Sequence, residues 1–185
     1  MEYNDEVFKS QYGTVVFFVQ RLAYRRGIFE PVQSLMNHRE YWMSVCADHL
    51  RLATIAWCMV FGAYKEHLHW TKTPKGNDAE MAKQEFRDRR DRQLLKTGFT
   101  REQWETYHKE MLDFRNKFVV HLDISERYNA PVPCFDPALQ VAYAYEEWVR
   151  EVIRPAPFLV PMLSARYEQW RAAALSMIHS FRPES

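Results

Sequence analysis

Apolar residues in this chain recur every three to four positions, with little of the strict alternation that would give a strand one buried face. Carried through most of the 185 residues, that period predicts an all-α fold. A first helix is expected over about 5–26, where Val15, Phe18, Val19 and Leu22 form an inward stripe and Gly27 supplies a stop. A second is expected from Asn37, an N-cap with Glu40 three residues on in capping-box spacing, to about Phe61; it is apolar over much of its surface, as a central helix is. The Gly and Pro of "GAYKEHLHWTKTPKGN" (62–77) predict a loop, and a charged helix follows over about 78–96, ended by Gly98. Thr100 with Gln103 forms a second capping box, opening a helix that runs to about 121. After the loop "NAPVPCFDP" (129–137), helices are expected at about 137–153 and 161–181, separated by the prolines of "RPAPFLVP". Six helices with mostly short connections predict an antiparallel bundle forming one domain over 1–185.

Composition narrows the function classes. Apolar residues make up 47% of the chain and aromatics 15%, enough for a packed core. A formal charge of +1 provides no global field for nucleic acid, so any such binding must use a local patch. The cysteines are an odd three, and Cys46 and Cys58 fall on one predicted helix about 18 Å apart. That separation is too great for a disulfide, which suggests a reducing compartment with the thiols as small core residues. The apolar runs "TVVFF" and "LATIAWCMVFGA" fall short of a bilayer span, and "MEYNDEVFKS" has neither a basic region nor an apolar signal core. A cytoplasmic protein with no membrane partner is the expectation.

The segment that invites a chemical reading is "DFRNKFVVHLD" (113–123), at the end of the fourth helix. Spacing alone says little: with 17 arginines and seven histidines, an Arg, four to six further residues and then a His should arise by accident roughly twice. It arises twice, as Arg101 with His108 and as Arg115 with His121. Location separates them. Trp104, Tyr107, Met111, Phe114 and Phe118 form one stripe, and Arg115 and His121 sit on its opposite edges, about 120° apart on an unbroken helix. They converge only if the helix loosens before His121, which the β-branched pair Val119-Val120 would assist, or if a second copy supplies one of them at a two-fold interface. Arg101 and His108 fall in a charged stretch and read as ordinary surface.

"FRNKFVVHLD", with its arginine, adjacent polar residue and following histidine near a helix end, resembles the signature of the HEPN superfamily. The upstream "WCMVFGAYKEHLHW" is similar to an abortive-infection branch of it, so the likeness touches roughly residues 50 to 125. The resemblance implies a metal-independent RNA endonuclease, without cofactor, working as a homodimer in phage defence or a toxin–antitoxin system. It further implies Arg115, Asn116 and His121 as the catalytic set, and an antitoxin or a nucleotidyltransferase as a possible partner protein. Other members of the superfamily only bind nucleotides or proteins. The residue types suit RNA cleavage: histidine titrates near neutrality and can take the 2′-hydroxyl proton, while arginine stays charged and donates to phosphate oxygens. Asn116 could hold a phosphate or ribose oxygen.

Structural readings compete throughout. His121 equally suits a cation at a helix C-terminus, Arg115 a snorkelling surface residue and Asn116 an outward polar one. Asp123 could orient the His121 ring, but with Glu126 it has capping-box spacing, which favours a cap on a following turn. Glu66, His67 and His69 suggest a metal site, but His67 and His69 share a face only in an extended chain and no third ligand is near. Lys65, Lys72 and Lys75 make the 62–77 loop locally basic, and Trp70 could stack on a base or pack in the core; Lys65, Trp70 and Lys72 are the candidate substrate-binding residues. In "EFRDRRDRQ" (85–93) the pairs Glu85–Arg89 and Asp88–Arg92 favour a solvated helix face over a phosphate-binding one.

Overall fold

The computed structural model describes residues 1–33, 38–120, 131–155 and 160–180, with backbone alone at 118–120. Among these the chain is helical: α1 (Asp5–Val32), α2 (Arg39–Phe61), α3 (Ala79–Leu95), α4 (Arg101–Phe114), α5 (Asp136–Trp148) and α6 (Leu163–His179). Three short segments join in: a 3-10 turn at Trp70–Lys72 and π-helical turns at Arg115–Val120 and Val149–Ile153. The all-α bundle is what the period of the apolar residues demanded.

α1 is the spine. It packs against α2 on one side and α6 on the other, while α3 lies on α5. Cys46, near the start of α2, reaches the carbonyl of Arg25 near the end of α1, so α1 and α2 run antiparallel. The Tyr145 hydroxyl donates to Gln11 and Arg26 reaches Asp136, which sets α5 antiparallel to α1 as well. α6 doubles back from α5 and so runs alongside α1 in the same direction, Arg26 meeting Tyr167 and Ile28 lying in one cluster with Ile178. Glu146, whose side chain is 1% exposed, caps that return: it accepts from the backbone N–H of Leu163 at 2.6 Å and from Arg150 at 2.9 Å.

α1 does not stop at Gly27. The helix continues to Val32 with Pro31 in its last turn, and Gly27 is buried inside it. The reason is α6: a Cβ at position 27 would sit 2.4 Å from the carbonyl oxygen of Arg171 and 2.9 Å from Cβ of Ala174. Glycine is there for close helix approach rather than as a cap. Gly27→Ala is therefore expected to destabilise by about 1–3 kcal/mol, despite alanine's better helix propensity, because a backbone oxygen must move. Urea denaturation measures it; a more stable variant would remove this account of the contact.

Asn37 lies outside the described residues; α2 begins after His38, at φ 61° in the left-handed region and with no side-chain cap. The Thr100–Gln103 box is present with both of its bonds, at 2.7 and 3.3 Å. α2 is long and apolar enough to cross a membrane by length and composition, and half of its most apolar window is buried inside the bundle. Cys46 and Cys58 are buried and unpaired on it, and burial pushes the Cys58 thiol up to about 12. On α3 the Glu85–Arg89 pair forms at 3.7 Å, but Arg89 also reaches across to Glu151 at 2.6 Å, and its side chain is only 13% exposed. This arginine ties α3 to the π turn that follows α5 rather than lying on a solvated face.

Candidate functional site

The motif residues lie where α4 changes character. Trp104, Tyr107, Met111 and Phe114 are all buried, packed in the main core with residues of α2. That stripe is thus occupied by the chain's own core and is not free for a two-fold interface. At Arg115 the helix widens into a six-residue π segment, Arg115–Val120. A π turn closes i to i+5 and re-phases every residue beyond it. Six π-helical residues advance by roughly one and a third turns, so this turn alone does not return the chain to the face of Arg115. His121 itself lies outside the described residues, as do Asp123 and Glu126.

Arg115 is half-buried and oriented by two partners. Its NH1 donates to Glu66 at 2.9 Å and its Nε to the Asn116 side-chain oxygen at 3.1 Å. Glu66 comes from the 62–77 loop, 49 residues away in sequence. That loop is built to hold it. The Glu66 N–H bonds back to Ala63 and its carbonyl accepts from the His69 N–H, closing successive turns. Gln11 donates to the His69 carbonyl at 2.8 Å, Thr73 and Tyr145 both donate to Gln11, and the N-terminal strand-like residues bind the loop through Asn4 and Lys75. Asn116 and Lys117 are exposed beside Arg115. The arrangement can do what arginine sites do: present a fixed, planar, charged donor at a surface edge.

His108 is not the ordinary surface residue expected: it is half-buried, its Nε2 lies 2.8 Å from the carbonyl of Phe61, and its ring packs between Trp57 and Trp104. Because a carbonyl can only accept, Nε2 carries the proton. Arg101 is exposed, as expected.

Trp70 also needs correction as a base-stacking candidate. Only 8% exposed, its ring packs 4.5 Å from Phe86 and edge-on to Trp148, so no face is left for a nucleobase. The exposed aromatic of this loop is Tyr64, 68% exposed, with the Lys72 ammonium 3.8 Å over its ring. Lys65 and Lys75 are exposed and Lys72 half-buried, so the loop keeps its basic surface. Among the described residues no group of three His, Cys, Asp or Glu could hold a metal; His67 is exposed, His69 is buried and Glu66 is engaged by Arg115.

His69 is held neutral. Burial, with Lys72 and His108 adding to it, pulls its pKa from 6.5 down to about 4. The unfolded chain therefore binds the extra proton between about pH 6.5 and 4, and the native state does not. Stability should be full above pH 6.5 and fall toward pH 4, with this residue supplying a slope approaching about 1.4 kcal/mol per pH unit. Chemical denaturation across that window should show the slope reduced in His69→Gln. His49, lowered by its own burial, keeps a remainder.

No family model, no curated protein and no solved structure matches the chain.

Proposed function

We propose that this chain is a HEPN-type, metal-independent RNA endonuclease, serving phage defence or a toxin–antitoxin system. The observation that supports it best is Arg115, fixed by Glu66 and Asn116 at the start of a π-helical turn and six positions before His121 in the sequence. In this reading His121 takes the proton of the 2′-hydroxyl, whose oxygen attacks the adjacent phosphorus. The bond from phosphorus to the 5′-oxygen breaks, that oxygen takes a proton from water, and a 2′,3′-cyclic phosphate remains. Arg115 donates to the phosphorane oxygens as charge builds on them, with Glu66 holding the guanidinium plane and Asn116 reaching a phosphate or ribose oxygen. Lys65 and Lys72 draw the RNA backbone toward the loop. A homodimer, if the motifs pair, would use exposed residues beside the stripe, such as Asn116 and Lys117. An antitoxin or a nucleotidyltransferase is the expected protein partner.

A second reading, a non-catalytic helical binding module of the same superfamily, is favoured by one observation. Glu66 balances the charge of Arg115, as a purely structural ion pair would. The two readings part on a substrate bearing 2′-deoxyribose at the cut nucleotide. The nuclease should cut the all-RNA oligonucleotide, leave a cyclic phosphate and spare the substituted one. Binding of both without cutting either would decide for the module, and equal cutting of both would exclude this chemistry.

A further inference from the structure

A cleft of about 580 Å³ opens between α1, α5 and α6, and none of the motif residues lines it. Two of its three arginines are unlike the third. Arg26 is fully committed, donating to Tyr167 at 3.1 Å and to Asp136 at 2.7 Å, and so forms a neutralised wall. Arg25, half-buried, has no carboxylate partner among the described residues; its guanidinium lies 4.9 Å over the ring of Phe29. Burial lowers its pKa, the mark of a charge held in a dry place without an anion. Arg171 meets Glu30 at 3.9 Å and Glu168 at 3.8 Å, beyond hydrogen-bond length. Both carboxylates are largely exposed, at 78% and 66%, where such pairs contribute little and rearrange freely. Tyr143 also lines this cleft, and its hydroxyl makes no hydrogen bond to a described residue.

We propose that the cleft binds a small phosphate-bearing molecule, its phosphate taken by Arg25 and Arg171 with the Tyr143 hydroxyl donating to it. Two forked guanidinium groups and a phenol match the several acceptor oxygens of a phosphate, and the volume falls within the range of small-molecule sites. Phe29 and Leu139 give an organic remainder an apolar surface. This site stands apart from Arg115 and does not depend on the ribonuclease reading.

The test is isothermal titration calorimetry of the full chain at low ionic strength, with inorganic phosphate and with pyrophosphate. Saturable binding of at least one is expected, weakened about tenfold or more in Arg25→Gln and in Arg171→Gln. Tyr143→Phe should weaken it less, and Arg92→Gln, on the exposed face of α3, should leave it unchanged. Since Arg25 is half-buried, Arg171→Gln decides the matter should Arg25→Gln misfold. Absence of saturable heat with both probes would overturn the proposal. So would binding that Arg171→Gln leaves within twofold of the parent.

Discussion

Arg115→Ala is expected to slow RNA cleavage by about 10²–10³-fold while barely moving the thermal midpoint. The rate effect follows from the role: removing one preorganised donor to charge that develops in the transition state costs that much in well-studied sites. The small stability effect follows from exposure. The partner left behind, Glu66, is 28% exposed and can rehydrate, so the lost pair should cost no more than about 1 kcal/mol. Arg115→Lys keeps the charge but loses the fork that engages Glu66 and Asn116 together, so its rate should fall between the two. Glu66→Gln should slow cleavage less than Arg115→Ala, since it disturbs orientation and leaves the cation in place. Single-turnover cleavage with thermal melts of the same preparations checks all three. If Arg115→Ala cuts within twofold of the parent, Arg115 has no part in the chemistry.

Trp57→Ala is expected to cost about 3–5 kcal/mol, a large part of the stability of a domain this size. Trp57 is fully buried, and its ring lies within 5.7–6.4 Å of Phe61, Trp104, Tyr107 and His108. Removing it opens a cavity under α4 and takes one wall from His108. Trp57→Phe should cost far less, under about 2 kcal/mol. A phenyl ring refills much of the space, and the indole Nε1 is buried with no hydrogen-bond partner among the described residues, so its loss removes an unsatisfied donor. Urea midpoints for the two variants measure the difference; equal losses would mean that the indole edge, not the ring volume, holds the contact.

What was legible in the chain was local. Helical period placed the elements within a few residues, and the Thr100 box and the buried face of α4 were written within single turns. Gly27 was misleading because a glycine that ends a helix and one that admits a neighbouring helix look alike in sequence; only α6 distinguishes them. His108 sits in a polar stretch whose composition suggested surface, and Trp70 in a loop where base stacking and core packing were both open, yet the aromatic core reaches out to both. The Glu66–Arg115 contact had no sequence signal, since the bundle brings together positions far apart in the chain. Glu66 drew notice only beside His67 and His69, as a metal ligand, and the same loop then turned out to serve Arg115. The π turn was foreshadowed by the β-branched pair Val119-Val120, but a propensity to loosen does not specify how.

The most direct measurement is incubation of the purified chain with total tRNA and with a labelled single-stranded RNA, in EDTA, beside His121→Ala. The account predicts that the parent cuts at least one of them without metal and that His121→Ala does not. Cleavage that persists in His121→Ala, or that disappears from the parent on chelation, would contradict it.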